Sequence, residues 1–123
     1  MSFSSIRIIT DDVDRLAAFY ERVLGRPAER PAPVFAQFSG DGASLAIGDL
    51  ATVAALDGAL VPRSNRSVLV EFEVADVDNA FARLQLGADD VVQEPRTMPW
   101  GNRSALVRDP DGNVVNLFRR PTR

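Results

Sequence analysis

The sequence predicts an α+β fold built from two copies of one strand–helix–strand–strand unit, and three observations carry that reading. The first is the stretch Met98–Arg119, which reads as strand, tight turn, strand. Ser104–Arg108 and Val114–Phe118 are the strands, and Asp109-Pro110-Asp111-Gly112 is the turn. Proline presets φ for the first central turn position, and glycine supplies the positive φ that returns the chain to a strand. The second is an echo 70 residues upstream: Ser39–Ile47 carries the same Asp-Gly and the same small/apolar alternation, with Gly42 matching Gly112 and Ala46 matching Asn116. The third is a strand-to-helix entry that occurs twice. Asp12-Val13-Asp14 and Asp76-Val77-Asp78 lie 64 residues apart, each after a strand-like run. Two repeats of this size divide the chain into modules of about 1–57 and 67–123 within one domain, 1–123.

Taken in order, Ser4–Ile9 is the first strand. Asp11 or Asp12 caps the next helix, where acids suit the helix dipole. Val13, Leu16, Ala17, Tyr20, Val23 and Leu24 recur at helical spacing and make one apolar face. Gly25 suits the position just past the helix end, and Pro27 blocks continuation. The proline-rich piece Arg26–Pro33 reads as a loop. Val34–Phe38 and Ala43–Ile47 are strands joined at Gly40-Asp41-Gly42, and Leu50–Leu56 is a short helix. Gly58, Pro62 and Arg63–Arg66 mark a linker.

The second half opens on Val68–Val74, which alternates strictly. Val68, Val70, Phe72 and Val74 face one way; Leu69, Glu71 and Glu73 face the other. Asp76 caps a helix carrying Val77, Ala80, Phe81 and Leu84, with Gly87 just past its end. Asp89–Glu94 is a short edge strand, and Pro95–Asn102 a loop bearing Trp100. Each helix has one apolar stripe and so covers one sheet face, which is the valine face here. Carboxylates are costly to bury, so Glu71 and Glu73 belong to an opposite face that lines a solvent-filled cleft.

Composition narrows the function classes. At 123 residues, with 46% hydrophobic and 25% charged residues, the chain can bury a core of its own. Seventeen acids against fourteen bases leave no cationic excess for nucleic acid. No run has membrane-spanning length, and MSFSSIRIIT lacks the segments of an export signal. Absence of cysteine fits a reducing cytoplasm. There is no histidine, which excludes a His-based triad and any imidazole-ligated zinc, iron, copper or nickel site.

The chain resembles the glyoxalase / bleomycin-resistance / extradiol-dioxygenase (vicinal oxygen chelate) superfamily. The residues that carry the likeness are Asp12 to Phe19-Tyr20, Val23-Leu24-Gly25, Glu71–Asp78, and Pro99-Trp100-Gly101-Asn102-Arg103 with Asp109–Asn113. The resemblance implies two tandem βαβββ modules forming a cup-shaped mixed sheet with helices on the convex face, usually completed as a homodimer. It places the family's four metal-ligand positions at Ser5, Ala46, Leu69 and Asn116. Only the amide of Asn116 is even a weak ligand, so the expectation is the metal-less branch, with no cofactor.

Function is expected to be non-catalytic binding of a small hydrophobic or aromatic molecule in a dimer-interface crevice, as in antibiotic sequestration. The expected site is Trp100, Glu71, Phe38, Asn116, Arg7, Leu69 and Phe118. Aromatics supply area and stacking, Glu71 favours a cationic group and Arg7 an anionic or carbonyl group. Phe38 and Phe118 also fit an ordinary core, and Glu71 with Glu73 an ordinary solvated face. The alternative is a metal-independent lyase or isomerase with Glu71 as general base, for which no residue spacing is diagnostic. A third reading is a module with no ligand, its concave face filled by side chains.

Overall fold

Two aspartates start the two helices. Asp12 accepts a hydrogen bond from the Arg15 backbone at 3.1 Å and opens α1 (Val13–Leu24). Asp76 accepts from the Asn79 backbone at 3.0 Å and opens α2 (Val77–Leu84). Each side chain satisfies a first-turn N–H that has no partner inside the helix. Gly25 ends α1 at φ 66°, as its place in the sequence predicts. The end of α2 differs: Gln85, not Gly87, takes the left-handed position, at φ 50°. Ending there brings Leu86 onto the core, so packing outweighs the preference for glycine.

The structure, a computed structural model, describes residues 1–121. In the first half β1 (Ser5–Thr10), β2 (Glu29–Ala32), β3 (Phe35–Ser39) and β4 (Ser44–Asp49) form a sheet in the order β1-β4-β3-β2. In the second, β5 (Leu69–Glu73), β6 (Val91–Thr97), β7 (Arg103–Arg108) and β8 (Val114–Arg119) repeat it as β5-β8-β7-β6. β1 runs parallel to β4 and β5 parallel to β8; the other pairs are antiparallel. This is the α+β arrangement of two tandem modules with helices on one side of cupped, mixed sheets. Short 3-10 helices at Leu50–Leu56 and Ala88–Asp90 complete the chain, the first kinked at Val53.

Two segments depart from expectation. The Arg26–Pro33 loop contains β2, which pairs with β3 through Glu29–Gln37 and Ala32–Phe35. Pro31 sits in it because an edge strand needs no donor on its free side. β6 begins at Val91 and runs to Thr97, carrying Pro95 across two register shifts, where the sequence points to Asp89–Glu94.

One core joins the modules. α1 buries Val13, Leu16, Ala17, Tyr20 and Val23 as its periodicity predicts, and Phe19 besides. α2 adds Val77, Ala80 and Leu84, and the sheets add Ala36, Leu45, Ile47, Ala105, Val107, Val115 and Leu117. Val70, Phe72 and Val74 pack against this cluster, while Val68 precedes β5 and stays exposed. Phe38 joins the core at 3% exposure and does not lie on the open face beside Leu106. The physical reason is turn length. Ser39 pairs with Ser44 across four residues, whereas Arg108 pairs with Val114 across five. The extra residue puts Phe38, opposite Leu45, in register with Val107, opposite Val115, and a one-residue slip exchanges sheet faces.

The Asp109-Pro110-Asp111-Gly112 turn is more than a reversal. Asp109 is 2% exposed, and its carboxylate accepts from the Asp111 and Asn113 backbones at 2.9 Å each, from Asn113 Nδ2 at 2.8 Å and from Tyr20 Oη at 2.6 Å. Tyr20 belongs to the first module and Asp109 to the second. Burial raises the Tyr20 phenol well above its ordinary pKa, with the Asp109 charge and hydrogen bond adding to the rise. The phenol therefore stays a donor. Tyr20→Phe should destabilise the protein by about 1–3 kcal/mol, the range for stripping a donor from a buried acceptor. Urea denaturation measures it, and a loss below about 0.5 kcal/mol would show the bond to be dispensable.

Candidate functional site

The face of the sheets turned away from the helices carries the groups available for recognition. Strand alternation and register decide which they are. In the second module one line of cross-strand neighbours runs Glu71, Asn116, Leu106, Gln93 across β5, β8, β7 and β6. The next line runs Glu73, Phe118, Ser104. Hydrogen bonds join these lines: Ser104 Oγ donates to Asn116 Oδ1 at 2.6 Å, and Asn116 Nδ2 donates to Glu71 Oε2 at 2.8 Å. Gln93 Nε2 donates to the Ser104 carbonyl at 3.3 Å and approaches Met98 Sδ at 3.8 Å. Met98 opens the loop that carries Trp100, so this loop stands at the far rim of the same face. The loop is closed by Met98–Asn102 and Gly101–Met98 backbone bonds of 2.7 and 2.8 Å.

The predicted site residues divide into groups. Glu71 and Asn116 are bonded to each other, and Leu69 lies beside Glu71 on the same face. Phe118 shares that face, half-buried, with the Arg120 guanidinium 5.4 Å from its ring centre. Arg120 also pairs with Glu73 at 2.5 Å. Leu69, Glu71 and Phe72 line a cleft of about 570 Å³ whose other wall includes Phe3, Ile6 and Leu45. Phe38 reaches this cleft only from within the core. Arg7 lines a separate cavity of about 210 Å³. Trp100 is 66% exposed on its loop and lines neither the Glu71 cleft nor the Arg7 cavity. A depression near 930 Å³ lies outside α1 among Arg15, Arg22, Glu21 and Asp90; it is an open charged helix face, away from the polar row.

The four family positions do not fit a divalent metal. Ala46 and Leu69 carry no donor atom, and both amide ends of Asn116 are already bonded to protein. Ser5 pairs with Ser44, two residues along the strands from the Arg7–Ala46 pair. No group of three Asp or Glu side chains suited to a metal occurs among the described residues.

Sequence reasoning missed two members of the polar assembly, Ser104 and Gln93, and the buried anchor Asp109. Ser104 and Gln93 are found only through register, since they lie on strands whose pairing is not local. Asp109 had a signal, because aspartate opening such a turn often bonds backbone two residues on. The same turn holds a polar atom without a partner among the described residues, Asp111 Oδ2, on a residue 8% exposed.

These features define a class: paired, cupped modules that offer a cleft beside an open sheet face. Residues 2–117 match the Glyoxalase/Bleomycin resistance protein/Dioxygenase superfamily, and the chain belongs to that superfamily. It is similar to the uncharacterized protein YraH of Bacillus subtilis (strain 168), 25% identical over 126 residues that span 97% of this chain and 98% of YraH. Among solved structures it is similar to TioX from Micromonospora sp. ML1, with TM-score 0.68, 25% identity, and coverage of 98% of this chain and 99% of TioX. In fold it is also similar to a glyoxalase-related enzyme from Fulvimarina pelagi, with TM-score 0.80, 20% identity, and 98% and 88% coverage. No helix among the described residues is long and apolar enough to cross a membrane.

Burial raises the Asp111 carboxyl above its ordinary pKa; a hydrogen bond with Thr10 opposes this, the Asp109 and Asp11 charges add to it, and Arg63 opposes it. A raised folded pKa means that the folded state holds this proton more tightly than the unfolded chain. Its contribution is favourable below the unfolded value and lost as pH rises through the folded value. Asp111→Asn should therefore raise the melting temperature at neutral pH by about 2–5 °C. That gain should shrink toward zero in melting curves recorded toward pH ~3. A gain that does not change with pH would assign the effect to something other than this carboxyl.

Proposed function

We propose that this protein binds a small hydrophobic or aromatic molecule bearing a cationic group, without turnover, in the Glu71 cleft. The observation that carries this reading is the Ser104–Asn116–Glu71 chain of hydrogen bonds. It fixes an exposed carboxylate beside apolar Leu69 and half-buried Phe118, and Glu71 forms no ion pair among the described residues. A preset charge on an apolar wall orients a ligand, and the wall supplies contact area. Trp100 stands on the rim loop across the same face, which Gln93 meets through Met98, and reaches the bound molecule when that loop closes toward the cleft. The modules, about residues 1–57 and 67–123, act as one domain. Two copies close the crevices as a homodimer, and the absence of cysteine suits a cytoplasmic setting.

A thermal-shift screen of cationic aromatic compounds, followed by titration of the single tryptophan's fluorescence, tests this. Trp100→Ala should weaken binding by roughly 1–3 kcal/mol, the scale of an aromatic anchor, with little effect on folding. Glu71→Gln should reduce the preference for cations over neutral analogues. A ligand that leaves the fluorescence unchanged and binds Trp100→Ala equally well would displace the site. Depletion of many equivalents per chain would replace sequestration with catalysis by Glu71.

The dimer is a separate expectation. Ile6, Val68, Leu69 and Trp100 expose apolar surface that a two-fold partner would cover. Sedimentation at micromolar concentration should give twice the 13.4 kDa chain mass; a single monomeric species would refute it.

A further inference from the structure

The free edges of β1 and β5 do not pair with each other. Between them, beneath the strap that links the modules, lies a cavity of about 210 Å³. Its walls are aliphatic: Ile6 and Ile8 from β1, Val70 from β5, and Leu60, Val61 and Val68 from the strap. The strap is held shut at two points. Arg63 pairs with Asp11, and Asn65 Nδ2 donates to Asn113 Oδ1 at 2.9 Å. Asn65 is in turn fixed by accepting from the Ser67 and Val68 backbones at 3.2 and 3.1 Å. An aliphatic space of this size costs stability when nothing fills it, because its lining loses dispersion contacts. These two contacts tie the strap to the loop before α1 and to the turn before β8, at the border of the cavity.

Both charged side chains that line this cavity, Arg7 and Arg63, are arginines. Arg63 is neutralised by Asp11 and also faces Asp111. Arg7 also lines the cavity, is exposed, and forms no ion pair among the described residues. A guanidinium presents donors in a fork that matches a carboxylate. We infer that this cavity is a second ligand site, for a small apolar carboxylic acid. Its hydrocarbon body occupies the space between Ile8, Val61 and Val70, and its carboxylate meets Arg7. The inference does not rest on the reading of the Glu71 cleft, and the two sites have opposite charge preference.

Phenylacetate and its neutral isostere phenylacetamide are the probes, titrated by calorimetry into the full chain and its variants. Phenylacetate should bind about tenfold more tightly than phenylacetamide. Arg7→Gln should erase that difference, and phenylacetamide affinity should stay unchanged. Val61→Glu, at an exposed strap position, should weaken the acid far more than the amide. Glu71→Gln should alter neither, because its carboxylate lies in the other cleft. Melting curves establish that each variant is folded. The inference is overturned by equal binding of acid and amide, by wild-type affinity in Arg7→Gln, or by no acid binding at millimolar concentration. If Glu71→Gln changes phenylacetate affinity as much as Arg7→Gln does, the acid occupies the other cleft and this site falls. Loss of cation binding by Glu71→Gln with phenylacetate unaffected would support both sites independently.

Discussion

The buried Asp109 carboxylate is the constraint on which the two halves depend. An ionised carboxylate out of water costs several kcal/mol unless donors surround it. Here two backbone N–H groups, one amide and one phenol supply them at 2.6–2.9 Å. Three of the four come from the turn itself and set its shape. The fourth comes from Tyr20, 89 residues earlier, in the middle of α1. The last donor to Asp109 therefore ties the turn to α1. The Tyr20 ring meanwhile packs against Phe19 at 5.1 Å and Phe72 at 5.8 Å between centres. One residue thus anchors the helix, the second sheet and the turn.

Duplication gives the modules one topology, but the two turns differ by a residue, and that difference alters chemistry. The longer turn encloses Asp109 and places Ser104 and Leu106 on the open face of β7. The shorter one, at Gly40–Ala43, sends Phe38 inward and leaves Gln37 on the open face, where it bonds Glu29 at 3.0 Å. The same register lines also hold different groups in the two modules. Arg7, Ala46 and Gln37 lie across the first module, and Glu71, Asn116 and Leu106 across the second. Arg7 on β1 stands at the register position that Glu71 holds on β5.

Much of the fold was legible in the residues. Both helix starts, the apolar stripe of α1 and the strand faces of β5 and β8 follow from local spacing and capping chemistry. Those rules act within a few residues, and nothing distant overrode them. The end of α2, β2 and the extent of β6 were not legible. Leu86 packing moved the first, and edge pairing with β3 and β7 created or lengthened the others.

For the candidate site the division is similar. Sequence alone determined that Leu69, Glu71 and Glu73 share a face and that Asn116 and Phe118 share another strand's face. Alternation with period two suffices for that. Only the tertiary structure decided that Asn116 bonds Glu71 and Ser104, that Phe38 is core, and that Arg7 and Glu71 line different cavities. Each of these depends on strand register between distant segments or on the length of a turn. A single added residue exchanges one sheet face for the other, and hydrophobic spacing along one strand carries no record of which partner it will meet.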